Sequence, residues 1–181
     1  MHQSVSPYLS LLEHVTWQKS EYFYFPNHLA RQWLLESGSL SRLMKTHCRE
    51  LSVDVLQNSW SDALSLTSTE KCLLFSPESY LLRQVLLSGD GVPWVLGHTL
   101  IAQSESYQLS DDVFRLGTHL LGDFVFQAQH VRRDELQVAE VKTEDGVLWA
   151  RRSRLWMEHQ PMLVTELFLP GAPVYSKENE E

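Results

Sequence analysis

Between Tyr80 and Ile101 the chain reads Tyr80-Leu-Leu-Arg-Gln-Val-Leu-Leu87, Ser88-Gly-Asp-Gly91 and then Pro93-Trp-Val-Leu-Gly-His-Thr-Leu-Ile101. Two apolar runs separated by a glycine-bearing turn specify an antiparallel hairpin, because both glycines can adopt the positive φ that such turns need. One charge, Arg83, interrupts the first run. A second isolated charge, Glu166, sits in Leu163-Val-Thr-Glu-Leu-Phe-Leu169, which also has the pattern of a strand. With side chains alternating across a sheet, Arg83 shares a face with Leu81, Val85 and Leu87, and Glu166 shares one with Val164 and Phe168.

An unpaired ion in such surroundings costs several kcal/mol even after relaxation. Each charge therefore calls for compensation, either by a partner side chain or by a bound ligand carrying charge and hydroxyls. The simplest arrangement would be a structural ion pair between Arg83 and Glu166. A ligand site between them is the alternative.

At 181 residues, 43% hydrophobic and 10% aromatic, the chain has enough apolar content for one domain with a core, residues 1–181. Its net charge of −8 argues against a nucleic-acid surface, and Arg151-Arg152-Ser153-Arg154 is too short a basic cluster to reverse that. These strand arginines read as a solvated face. No apolar run approaches the roughly 18 residues of a membrane span, and the N-terminus lacks signal-peptide order, so a cytoplasmic protein without membrane insertion is expected. Cys48 and Cys72 form no CxxC motif, so both read as reduced thiols and no metal site is expected.

Met1 to Phe25 shows no clear period despite many aromatics. Asn27 can cap a helix from His28 to Glu36 that Gly38 breaks, and Ser39 can cap another from Leu40 to about His47. Leu51 to Gln57 alternates like a strand, and a loop is expected through Ser59 to Lys71. Between Ser110 and Gln127 the apolar spacing predicts one or two short helices broken at Gly117, and one starting near Leu121 would aim free N–H groups at whatever precedes it, an end that suits a carboxylate. From Leu136 to Tyr175 more antiparallel sheet follows, with turns at Glu144-Asp-Gly146 and Glu158 to Pro161. The acidic tail, residues 176–181, is expected to be disordered. The whole reads as α+β.

Four blocks carry a resemblance to a known family. They are Trp33-Leu-Leu-Glu-Ser-Gly-Ser-Leu-Ser-Arg42, Leu82-Arg-Gln-Val-Leu-Leu-Ser-Gly-Asp-Gly-Val-Pro-Trp94, Leu116-Gly-Thr-His-Leu-Leu-Gly122, and Trp149-Ala-Arg-Arg-Ser-Arg-Leu155 continued by Leu163-Val-Thr-Glu-Leu-Phe-Leu-Pro170. In order and spacing they resemble the chorismate lyases (chorismate pyruvate-lyases), over roughly residues 30 to 175. Residues 1–25 and the loop around Ser59 to Lys71 match poorly.

The resemblance implies a single antiparallel sheet with helices packed on one side and helix-turn flaps closing an internal ligand cavity. It implies that chorismate is converted to 4-hydroxybenzoate and pyruvate at the start of ubiquinone synthesis, by a monomer needing no cofactor. Arg83 would hold the ring carboxylate, Glu166 would contact the ring hydroxyl at the other end, and Leu40 and Leu121 would complete the site through main-chain and apolar contacts. Arg83 and Glu166 are thus the expected catalytic pair.

Two other classes of function compete with this one. The same fold serves as an effector-binding module for small aromatic carboxylates in bacterial regulators, but those carry a DNA-binding domain, for which the first twenty-five residues are too few. An interaction protein using an exposed sheet edge would leave both isolated charges without a reason. His98, His119, His130 and His159 lie on unrelated segments and read as structural.

Overall fold

In a computed structural model, which describes residues 5–106 and 108–177, seven strands form one antiparallel sheet. The strands are β1 (Gln18–Lys19), β2 (Leu51–Asp62), β3 (Ser79–Gly89), β4 (Val92–Ala102), β5 (Val131–Thr143), β6 (Gly146–Met157) and β7 (Gln160–Phe168). Their spatial order is β1-β5-β6-β7-β4-β3-β2, so the β3–β4 hairpin read from the sequence lies beside β7, the strand that bears Glu166.

At the hairpin turn the positive φ falls on Asp90 (49°) and Gly91 (80°). Gly89 has a different role. A Cβ there would lie 2.3 Å from the Trp94 ring, so the missing side chain makes room for the indole.

Among the described residues six α-helices dress the sheet: α1 (Ser6–Leu12), α2 (His28–Leu34), α3 (Leu40–Lys45), α4 (Ser68–Leu73), α5 (Leu109–Phe114) and α6 (Leu121–Phe126). Both predicted caps are present: Asn27 Oδ1 accepts from Ala30 N at 2.7 Å and Ser39 Oγ from Arg42 N at 3.3 Å. Gly117 sits at φ 58° between α5 and α6, where the helical pattern was expected to break. The segment after Gln57 differs from expectation. The strand runs on to Asp62, and Thr67 and Glu70 form a reciprocal capping box that starts α4 where a loop was expected.

Alternation divides the sheet into two faces. On the face of Arg83, Trp33, Leu34, Leu40 and Met44 from α2 and α3 pack with Trp94, Val95 and Phe168. Farther along that face, Leu109, Val113 and Val125 from α5 and α6 pack with Leu81, Ile101, Leu155 and Met162. Each large apolar side chain buried this way contributes about 1.5–3 kcal/mol. The opposite face is covered at one end by α1, whose Tyr8, Leu9, Leu11 and Leu12 rest on Leu86, Leu96 and Leu167. At its other end Leu66, Leu73 and Leu74, in and around α4, meet Tyr80, Leu100 and Leu163. The unperiodic N-terminal segment thus closes a core, its apolar side falling within too few turns to show a period. No helix among the described residues is long and apolar enough to cross a membrane. Beyond Lys177 the acidic tail lies outside the described residues.

Candidate active site

Between the two apolar clusters on the Arg83 face, the strands carry a polar row instead of a core. Arg83 is 2% exposed. Its Nη2 donates to the carbonyls of Gly117 (2.7 Å) and His119 (3.3 Å), both in the α5–α6 connection. Nε and Nη1 are buried without a partner, and burial pushes the guanidinium pKa below its usual value. Among the described residues no carboxylate pairs with it.

Glu166 stands two strands away, facing Gly97 of β4 in register, whereas Arg83 faces Thr99. Two strand spacings and a two-residue offset thus put their backbones roughly 12 Å apart. Glu166 does not pair with Arg83. Its Oε2 accepts from Arg151 Nε at 2.5 Å, and its side chain keeps 12% exposure. Arg151 is fully buried, and its Nη1 donates to the carbonyl of Glu36 at 2.8 Å, tying the Glu166 carboxylate to the end of α2.

The arginines of β6 are therefore not the solvated face expected of them. Arg151 belongs to the site, Arg152 is 8% exposed on the opposite face, and Arg154 is held by the Asp134 carboxylate at 2.8 and 3.0 Å. The reason is topological: β6 is an interior strand covered on both faces, which the local run RRSR does not reveal.

Arg83 and Glu166 line one internal cavity of about 70 Å³ with Leu40, Ser41, Leu121 and Arg133. All four expected site residues therefore share it. Leu40 and Leu121 open the two short helices that roof it, and those helices touch. Gly122 lies so close to α3 that a Cβ would fall 2.6 Å from Ser41 Oγ, and Lys45 Nζ meets Asp123 Oδ2 at 2.7 Å on the surface.

Arg133, on β5, is a site residue that sequence reading missed. Its Nη1 donates to Ser153 Oγ and its Nη2 to the Gly38 carbonyl at 3.2 Å, while Nε is buried and unpartnered. Burial, with repulsion from Arg151, lowers its pKa to about 10. The sequence signal was poor because Arg133 sits among charged neighbours, Arg132 and Asp134, rather than alone in an apolar run. The cavity therefore offers two incompletely satisfied cations and one carboxylate in dry walls. Among the described residues no cluster of three or more metal-binding side chains occurs.

An antiparallel sheet whose helical roof encloses a small cationic cavity defines a binder of compact anionic molecules, with a carboxylate placed to act on what it holds. The comparisons give the particular family. The chorismate lyase family model matches residues 11–180, and the chain belongs to that family. It is 53% identical to a Vibrio cholerae protein named "Probable chorismate pyruvate-lyase" over 98% of this chain and 99% of that one. It is 36% identical to the chorismate pyruvate-lyase of Proteus mirabilis over 80% of this chain and 83% of that one.

Among solved structures, the effector domain of PhnF from Mycobacterium smegmatis superposes with a TM-score of 0.53 at 11% identity, covering 74% of this chain and 89% of that one. A second PhnF structure gives 0.54 at 12% identity, over 75% and 65%. These likenesses share the fold.

Proposed function

We propose that the chain is a chorismate pyruvate-lyase that converts chorismate to 4-hydroxybenzoate, the ring precursor of ubiquinone, and pyruvate, and that Arg83, Glu166, Leu40 and Leu121 form its site. The observation that carries this reading is the buried Arg83 with two unsatisfied N–H groups, facing a cavity that Glu166 also lines. A ring carboxylate on Arg83 supplies the compensation that no side chain provides. Chorismate is a dianion, and Arg133 is the cation placed for its second carboxylate.

The reaction breaks the C3–O ether bond and the C4–H bond. The ring becomes aromatic, the enolpyruvyl group leaves, and the proton lost from C4 balances the one gained as the enol becomes pyruvate. No electrons enter or leave, so no redox partner is needed. Aromatisation supplies much of the driving force, which leaves the protein to orient the ring and shield it from water.

Glu166, held by Arg151 through Oε2, keeps Oε1 for the C4 hydroxyl, and we assign it the proton movement toward the departing group. The Arg151 contact holds this carboxylate in place. Leu40 and Leu121 wall the ring from solvent. Purified protein mixed with chorismate should yield 4-hydroxybenzoate, by absorbance, and pyruvate, by a coupled assay, in equal amounts. Glu166→Ala should lower kcat by about 10²-fold or more with much less loss of 4-hydroxybenzoate affinity. Tight 4-hydroxybenzoate binding without turnover in the wild type would instead make the chain a sensor.

A further inference from the structure

The face of the sheet opposite Arg83 carries a second polar row. Gln84, His98, Thr165 and Arg152 are cross-strand neighbours on β3, β4, β7 and β6. They lie between the apolar cluster under α1 and the one under α4, in a cavity of about 300 Å³. We propose that this cavity is a second binding site, for a small organic carboxylate with an apolar body.

The argument starts from Arg152, which is 8% exposed. Its Nη2 donates to Gln137 Oε1 at 2.5 Å and its guanidinium stacks on the Trp17 ring at 4.8 Å, but Nε is buried without a partner. Among the described residues no carboxylate lies within ion-pair distance of it. A buried guanidinium satisfied by one amide oxygen and a ring has a deficit of the same kind as Arg83, though smaller, with one unpartnered N–H group instead of two.

The rest of the row presents donors. Gln84 Nε2 donates to His98 Nδ1 at 3.1 Å, which leaves the proton of the neutral imidazole on Nε2. Burial lowers the His98 pKa, against the opposing effect of Glu70 and Glu13. Thr165 adds a hydroxyl that makes no hydrogen bond among the described residues. Leu9, Leu12, Val15 and Trp17 form apolar walls.

Two carboxylates also line this cavity. Glu13 is solvent-exposed, and Glu70 Oε2 is occupied by the Thr67 amide at 2.8 Å. Glu70 lies near enough to offset part of the Arg152 charge, but neither carboxylate forms an ion pair with Arg152, whose buried Nε keeps no partner. A cavity of this size falls in the range of small-molecule sites. The ligand that fits is a carboxylate for Arg152 and Thr165 attached to a ring or short aliphatic body against Trp17.

The two rows are back to back. Gln84 follows Arg83, Thr165 precedes Glu166, and Arg152 follows Arg151 on the same strands. A ligand here would bear on the backbone that positions the other site.

The test uses benzoate as probe, with benzamide as its uncharged isostere, followed by nuclear magnetic resonance of the Trp17 indole N–H and the His98 ring in the full chain. Benzoate should shift both signals saturably and benzamide should bind at least about tenfold more weakly. Arg152→Gln and Thr165→Val should each weaken benzoate, by about tenfold or more for Arg152→Gln. Arg83→Gln should leave the two signals responding as before. Absence of a saturable shift, equal binding of benzamide, or a response lost in Arg83→Gln but kept in Arg152→Gln would overturn the proposal. Should Arg152→Gln fail to fold, Thr165→Val decides alone, since it removes only the hydroxyl; unchanged benzoate affinity there would overturn it.

Discussion

Arg83 and Arg151 occupy the same face of the same sheet and are both almost fully buried, yet among the described residues one has a carboxylate partner and the other has none. That difference underlies the roles proposed for them, in which Arg151 neutralises and fixes Glu166 and Arg83 takes up a ligand's charge. The need for compensation at Arg83 and Glu166 was legible in the sequence because each is a lone charge in a period-2 apolar run. The identity of the partners was not, since Arg151 reaches Glu166 only through the β6–β7 register. Arg83→Lys keeps the charge but loses the planar fork, and should lower kcat/KM for chorismate by roughly 10- to 100-fold in steady-state assays. Gly97 tests the floor of the cavity. A Cβ there meets Val85 Cγ2 at 3.0 Å and occupies space between Arg83 and Glu166, so Gly97→Ala should weaken 4-hydroxybenzoate binding by about tenfold in a calorimetric titration.

The flaps carry the argument among the elements. Helices α3 and α6 are each six residues, too short to be stable alone, so their positions depend on packing over the cavity. The tight contact is Gly122 against Ser39 and Ser41, whereas Lys45 and Asp123 are 45% and 43% exposed and contribute at most about 1 kcal/mol. Gly122→Ala should therefore speed 4-hydroxybenzoate release in stopped-flow experiments by roughly tenfold or more, while Lys45→Ala should change it by less than about fivefold. The caps of α2 and α3 could be read locally because capping is a matter of a few adjacent residues. Helix α4 escaped notice because its capping box stands in a polar stretch with no apolar period.

The β5–β6 pair adds a pH dependence. The Asp134 carboxyl is held below its usual pKa, chiefly by hydrogen bonds from Arg154 and against the opposing effect of its burial. A depressed folded-state pKa gives stability that is present above the unfolded value and lost as pH falls through the folded one. Asp134→Asn should flatten the acid side of the stability profile below about pH 4, as measured by urea unfolding.

Over the whole molecule, both edges of the sheet are interrupted. On one side β1 pairs with Gln137 and Val138 alone, and the rest of β5 is an edge broken by an irregularity between Asp134 and Gln137. On the other, β2 is irregular between Val55 and Gln57 and partly covered where Asn58 Nδ2 donates to Phe114 O and Trp60 stacks on Phe114. We therefore expect one folding unit that sediments as a monomer of 21.0 kDa. Such a molecule holds its reaction inside itself, and the roof over the cavity governs the kinetics. Arg83 is 2% exposed beneath α3 and α6, whose first residues, Leu40 and Leu121, line the cavity. Substrate entry and product exit must both displace the α3–α6 roof and separate Arg83 from whatever carboxylate it holds. Aromatisation makes the chemical step downhill, whereas opening breaks a desolvated ion pair and the Gly122 contact, so release should limit turnover. Rapid mixing of enzyme with excess chorismate should then give a burst of 4-hydroxybenzoate close to one equivalent, followed by a slower steady state. Gly122→Ala should raise the steady-state rate and shrink the burst, because it loosens the roof without touching Arg83 or Glu166. A linear trace from the first turnover would place the slow step in the chemistry and leave the roof without a kinetic role.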